Sequence, residues 1–265
     1  MSANWRGHIG LIKPTYRGKS FAFWYKNVPP GIECAPAVLD LKSGDRKSFN
    51  EDRSFRRAEE LANDLCEVGC EILTISGSPP FLLQGLDYEL EWRRNLEARL
   101  GVAVVTGMAP HVIAAKALGV KHIALATYYQ RELNEEVTKY FAAKGLESAV
   151  IPGFEQTSEG EGLYSTSMRG LDSVSHEDVY RHCKKGVGEL GVKVDGLYIN
   201  GGGWDAAPVI ARLEEDLGIP VIWGMAAEMW MTLGLLEIGD PVNGFGRLLS
   251  DTALRRHEEI ATWKG

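Results

Sequence analysis

One stretch of this chain is written twice. Leu96 to Ala109 reads LEARLGVAVVTGMA and Leu213 to Ala226 reads LEEDLGIPVIWGMA, a match held at a constant offset of 117 residues. Two further pieces follow in the same order. His8, Ile9 and Leu11 correspond to His122, Ile123 and Leu125, and Leu73, Ile75 and Gly77 correspond to Leu197, Ile199 and Gly201. Chance can supply one such match, but three in register, separated only by loop-length differences, argue duplication of a supersecondary unit. A length of 265 residues leaves one large or two small units open. The repeat decides for two similar lobes.

Each copy is built from short apolar runs ending in Gly or Pro, such as HIGLIKP, CEILTISGSPP and LGVAVVTGM, then KHIALATYY, VDGLYINGGG and LGIPVIWGM. Helix-length amphipathic stretches separate them. This alternation predicts an α/β fold in which helices flank a parallel sheet. The Val-, Ile- and Leu-rich runs lack period-two alternation, as strands buried on both faces do. The expected architecture is two Rossmann-like lobes related by a pseudo-twofold axis. Residues 1–106 plus 223–265 form the first lobe and 107–222 the second. Ligands in such sheets sit beyond the carboxyl ends of the strands. The turn Ser76-Gly77-Ser78-Pro79-Pro80 and the turn Asn200-Gly201-Gly202-Gly203 are thus expected to face each other across one cleft. Backbone N–H groups and helix N-termini suit that cleft to an anion.

Composition narrows the partners. A formal charge of −7 with no long basic run argues against nucleic acid. No stretch approaches the length of a membrane span, and the first residues carry neither a signal nor a transit pattern, so a cytoplasmic enzyme is expected. Cys34, Cys66, Cys70 and Cys183 are too few and too irregular for a disulfide framework and are expected as free thiols. Cys66 and Cys70 read as i and i+4 on one helix face, a metal pair or two small hydrophobes. No His or carboxylate cluster offers further ligands, so no metal is expected.

Several motifs can carry chemistry, each with a plainer reading beside it. In SGSPP, Gly77 permits a sharp turn while Ser76 and Ser78 add hydroxyls able to hold a carboxylate oxygen; a serine-capped polar turn is the alternative. Three glycines after Asn200 permit close backbone approach to a ligand. A plain tight turn needs only one. Tyr128 and Tyr129 follow a strand and can donate to a carboxylate or an enolate, or simply pack. Pro14 closes the first strand as a cleft wall. His111 sits at a helix start near the cleft, in a catalytic or a structural role. Glu228 lies in an apolar helix, where a carboxyl is suited to general acid or base work unless it faces solvent. Trp204, Met108, Met225 and the FAFWYKN segment, placed in the loop after the first strand, favour an aryl carboxylate if they line the cleft; core packing is the alternative. GGGWD is not a dinucleotide fingerprint, since it lacks the G-x-G-x-x-G spacing and a following acidic strand end, and no Walker loop or G-x-S-x-G elbow is present.

The duplicated lobes, the strand-turn from Leu73 to Gly85, ALGVKHIALATYYQRELNE, DGLYINGGG and LEEDLGIPVIWGMAAEMW together resemble the aspartate/glutamate racemase superfamily, most closely its arylmalonate decarboxylases and maleate cis–trans isomerases. The resemblance implies two opposed turns that supply a catalytic cysteine each, or one in the decarboxylases, beside a carboxylate pocket. By position, Gly77 stands where racemases and isomerases carry their first cysteine and the decarboxylases a glycine. Ser78 stands at the carboxylate-binding threonine, Pro79 at a binding serine, Tyr129 at the tyrosine completing the pocket, and Pro14 at the proline ending the first strand. Gly201, followed by Gly202, stands at the remaining cysteine. Both family thiols are therefore missing. Of the four cysteines, only Cys34, near the second strand's end, has a route to the cleft.

The favoured expectation is a cofactor-independent enzyme that decarboxylates or isomerises a small carboxylate through an enolate-like intermediate, with Glu228, His111 or an ordered water in place of the thiol and Tyr129 in the pocket. One alternative is a hydrolase or ring-opening enzyme in which Ser76, Ser78 or Asn200 positions water. Another is a non-catalytic protein that binds a small acid. Substrate contacts are expected from Pro14, Ser76, Gly77, Ser78, Gly201, Gly202 and Trp204. A homo-oligomer is implied by the resemblance alone.

Overall fold

The computed structural model describes residues 4–39, 52–152 and 168–263. Strands β1 (Gly7–Lys13), β2 (Ile32–Val38), β3 (Ile72–Ile75) and β4 (Ala103–Val105) form one parallel sheet in the order β2-β1-β3-β4. Strands β5 (His122–Ala126), β6 (Glu147–Val150), β7 (Gly196–Ile199) and β8 (Val221–Trp223) form a second in the order β6-β5-β7-β8. The two orders are the same, and so is the register. Gly10 pairs with Leu73 as Ala124 pairs with Leu197, and Leu73 pairs with Val104 as Leu197 pairs with Val221. These pairs are the residues that the sequence repeat makes equivalent.

Hydrogen bonds repeat too. Glu71, just before β3, accepts from His8 N at 3.3 Å, and Asp195, just before β7, accepts from His122 N at 2.8 Å. Glu97 accepts from Val104 N at 2.8 Å, and Glu214 from Val221 N at 3.0 Å. In each copy an acid satisfies a backbone N–H at the start of a strand.

The connecting helices are α1 (Gly18–Asn27), α2 (Asp52–Glu67), α3 (Ser78–Leu82), α4 (Tyr88–Leu100), α5 (Ala109–Ala117), α6 (Arg131–Ala143), α7 (Met168–Ser173), α8 (His176–Glu189), α9 (Ile210–Leu217) and α10 (Gly224–Leu235). Helix α5 follows β4 but packs on β8, and α10 follows β8 but reaches β3 and β4; the two helices also pack on each other. All of α10 except Gly234 is buried, as expected for a helix apolar on nearly every side. This crossing joins the two sheets and carries side chains from one copy to the strand ends of the other.

Two expectations change. The FAFWYKN segment lies within α1, not a loop, and its Phe23 and Trp24 are buried in the core. Helix α2 stops at Glu67 and Gly69 turns at φ 92°, so Cys70 lies beyond the helix and shares no helical face with Cys66. All four cysteines are free. Among the described residues, no group of three or more His, Cys, Asp and Glu is placed to hold a metal ion, and no helix is long and apolar enough to cross a membrane.

Candidate active site

The carboxyl ends of β1, β3, β5 and β7 open on a cavity of about 80 Å³. Lys13 and Pro14 reach it from β1, Ser76, Gly77 and Ser78 from the turn after β3, and Tyr128 and Tyr129 from the end of β5. Gly201, Gly202 and Gly203 close it after β7, His111 enters from α5, and Met225 and Glu228 from α10. The structure thus gathers Pro14, Ser76, Gly77, Ser78, His111, Tyr129, Gly201, Gly202 and Glu228 around one space. Asn200 and Trp204 do not line it. Asn200 is fully buried and accepts from Tyr128 N at 3.3 Å, while the Trp204 indole packs edge-on against Tyr128 with centroids 5.5 Å apart. Of the residues that favoured an aryl ligand, Met225 alone lines the cavity, whose volume holds roughly six waters.

Glu228 is not isolated in apolar surroundings. Lys13 Nζ donates to Ser76 Oγ at 2.6 Å and to Glu228 Oε2 at 3.1 Å, and Ser76 Oγ donates to Glu228 Oε2 at 2.5 Å. The Lys13 and Glu228 side chains are only 3% and 6% exposed, and the Trp24 ring lies 5.3 Å from the ammonium. The helix sequence around Glu228 could not show this, because its partner arrives from a strand 215 residues away. Lys13 is the cavity-lining residue that motif reading passed over. Its signal was a charge at the carboxyl end of an otherwise apolar strand, the edge where α/β sheets bind ligands.

The two turns are held differently. Gly77 adopts φ 118° and opens α3, with no side chain capping that helix. Ser78 Oγ instead donates to Gly107 O at 3.1 Å. A Cβ on Gly107 would stand 2.7 Å from the Gly77 carbonyl, so the two backbones touch. Pro79 and Pro80 carry no N–H, which leaves the amides of Gly77 and Ser78 as the donors of this turn. In the second turn each glycine has its own reason. Gly201 takes φ 38°, a Cβ on Gly202 would meet Ser20 Oγ at 2.7 Å, and one on Gly203 would meet the Tyr128 ring at 2.4 Å. Tyr128 OH accepts from Gly203 N at 3.1 Å, and Arg17 from the first copy donates to Gly203 O at 3.1 Å. A plain tight turn would not require all three.

Burial raises the phenols of Tyr129 and Tyr128 above the usual tyrosine range, so both remain protonated donors; the Asn200 amide opposes that rise at each. Burial also pushes the Cys34 and Cys183 thiols up to about 12 and Cys70 to about 11. No cysteine lines the cavity, and protonated thiols are poor nucleophiles.

His111 is 1% exposed, with Nδ1 3.1 Å from the Tyr198 hydroxyl and Nε2 without a well-aligned partner among the described residues. Burial lowers its pKa from 6.5 to about 3, opposed by a backbone hydrogen-bonding interaction with the Gly224 carbonyl. The unfolded chain therefore takes up a proton at this ring that the folded chain refuses. Stability is full above the ordinary histidine range and falls as pH drops from there toward about 3. The slope is up to about 1.4 kcal/mol per pH unit. In urea unfolding followed from neutral to mildly acidic pH, His111→Gln should lose stability more gently than the parent by about that slope. Parallel curves would remove this account.

The comparisons with known proteins bear on this geometry. A sequence profile of the arylmalonate decarboxylase family matches residues 9–249. The arylmalonate decarboxylase of Bordetella bronchiseptica is 23% identical over 248 residues, covering 92% of this chain and 97% of that protein. The maleate isomerase of Geobacillus stearothermophilus is 26% identical over 202 residues, covering 73% and 74%. Among solved structures, the Nocardia farcinica maleate cis–trans isomerase with a covalently bound succinylcysteine intermediate superposes with a TM-score of 0.77 at 18% identity, covering 92% of this chain and 98% of that one. The chain belongs to the arylmalonate decarboxylase family, within the aspartate/glutamate racemase superfamily.

Proposed function

We propose that this chain decarboxylates or isomerises a small carboxylate through an enolate-like intermediate, without a cofactor and without a cysteine at the reacting centre. The observation that carries this reading is the buried Lys13–Ser76–Glu228 cluster, opening on the cavity that the two glycine turns enclose. Family relatives are decarboxylases and isomerases of carboxylic acids by name, and one carries its intermediate on a cysteine. By the resemblance, the equivalent turns of this chain carry Gly77 and Gly201.

In the proposed reaction the amides of Gly77 and Ser78 and the phenol of Tyr129 hold a carboxylate and the enolate oxygen that develops from it. Donors fixed in a site largely closed to water are worth most where charge appears. Glu228, with Ser76 bridging to it, and the neutral His111 ring are the groups able to move a proton to or from the reacting carbon. The Lys13 ammonium keeps the floor cationic beside an anionic ligand. A small aliphatic acid fits the volume better than an aryl one.

A screen of small mono- and dicarboxylates for thermal stabilisation, followed by incubation of each stabilising acid in D2O, tests this. Deuterium uptake, release of carbonate or bond isomerisation is expected. Tyr129→Phe should lower turnover about 10²-fold or more, and Glu228→Gln about 10²- to 10⁴-fold. Unchanged rates in both would remove the enolate reading. Stabilisation with no turnover would leave a binding protein.

A further inference from the structure

We propose that Ser76 is a nucleophile, and that the cavity therefore carries a second activity beyond enolate chemistry: acyl transfer to water from esters or amides of small carboxylic acids. The case rests on the direction of the hydrogen bonds. A serine hydroxyl is a weak nucleophile until a base takes its proton. The single proton of Ser76 Oγ points to Glu228 Oε2 at 2.5 Å, and Lys13 Nζ donates to Ser76 Oγ itself at 2.6 Å. The base that would receive the proton and the cation that would face the alkoxide are thus both in place. All three side chains line the cavity. A lysine–glutamate pair kept only for rigidity would have no reason to face it, since burying two charges costs as much as their attraction returns.

The backbone supplies the other half. Ser76 ends the short link from β3 to the sharp turn at Gly77, and α3 begins at Ser78, a strand–turn–helix placement. In serine hydrolases an oxyanion hole uses the N–H of the residue after the nucleophile. Here that residue is Gly77, whose missing side chain lets a carbonyl oxygen approach. The lining also includes His111, held neutral by burial, whose Nε2 has no well-aligned partner among the described residues and, in the tautomer that leaves it unprotonated, is a second acceptor for the attacking water.

The steps balance without any added reagent except water. Ser76 Oγ forms a bond to the acyl carbon as its proton passes to Glu228, and the carbonyl π pair moves to oxygen. That pair returns, the bond to the leaving alkoxide or amine breaks, and the leaving group takes the proton from Glu228. Water then attacks the acyl-serine, giving its proton to Glu228. Ser76 Oγ departs and recovers that proton, releasing a small carboxylic acid.

The test uses the full chain with methanesulfonyl fluoride and with methyl acetate, both small enough for the cavity. One methanesulfonyl group per chain is expected on the peptide containing Ser76, with fluoride released and ester hydrolysis lost in step. Ser76→Ala should abolish both the label and the hydrolysis. Ser76→Cys, of similar size, should restore labelling, which guards against a folding effect. Glu228→Gln should slow labelling about 100-fold or more. Absence of the label, its appearance on another residue, or hydrolysis undiminished in Ser76→Ala would overturn the proposal. Carboxylate turnover in D2O with no label at Ser76 would sink this inference and leave the enolate reading standing. A label at Ser76 with no such turnover would do the reverse.

Discussion

Glu228→Leu is expected to destabilise the protein by about 3–5 kcal/mol in urea unfolding, because it leaves the Lys13 ammonium buried with no counter-charge. Lys13 is 3% exposed on its side chain and, among the described residues, would keep the Ser76 hydroxyl and the Trp24 face, neither of which carries a negative charge. The decisive measurement is the second substitution. Adding Lys13→Met removes the orphaned charge, and most of the lost stability should return, so the two changes are strongly non-additive. Losses that simply add would mean that the two charges are not coupled in solution through the direct 3.1 Å contact described above. The double variant also separates folding from chemistry, since it should regain its stability and stay inactive.

Gly107→Ala is expected to cost function far more than stability. The new Cβ would lie 2.7 Å from both the carbonyl carbon and the oxygen of Gly77, and backbone cannot rotate aside as a side chain can. The turn that carries Ser76, Gly77 and Ser78 must shift, and Ser78 loses its acceptor at Gly107 O. Misplacement of a reacting group by about 1 Å lowers rates about 10²-fold, while overpacking costs about 1–3 kcal/mol. Gly188→Ala is the matched control. It lies in α8 with nothing within 4 Å of the added carbon, and alanine there should stabilise by roughly 1 kcal/mol. If Gly107→Ala turned over small carboxylates at the parent rate, the contact between these two glycines would not be what positions the turn.

Much of the fold was legible because a parallel sheet writes its register into apolar runs that the duplication then repeats. The equivalence of Leu73 with Leu197 survives as identical pairing with Gly10 and Ala124. The turns were legible for the same reason, since strand ends locate a cleft before any side chain is placed. What could not be read was whatever depended on a distant neighbour. Glu228 looked like an acid in an apolar helix, and its lysine comes from the other end of the chain. Trp204 adjoins the triple glycine in sequence, yet its ring turns inward against Tyr128 and His182. Cys70 fitted a helical spacing until Gly69 ended the helix. Local pattern fixes the scaffold, whereas orientation at a strand end is set by packing between elements.

The shared register has one more consequence. Its offsets carry Lys13 onto Thr127, Ser76 onto Asn200 and Glu228 onto His111. Two of the three counterparts, Thr127 and Asn200, are uncharged by nature, and burial keeps the third, His111, neutral. Thr127 is bonded away to Asn134 at 2.5 Å. Two halves of common origin have therefore become chemically unlike across the axis that relates them, one ionic and one neutral. A ligand with two identical arms lying across that axis meets a different environment at each end. The site can tell such arms apart, and a prochiral centre between them would be attacked or protonated from one face, so handedness in the product follows from the divergence of a duplicated lobe.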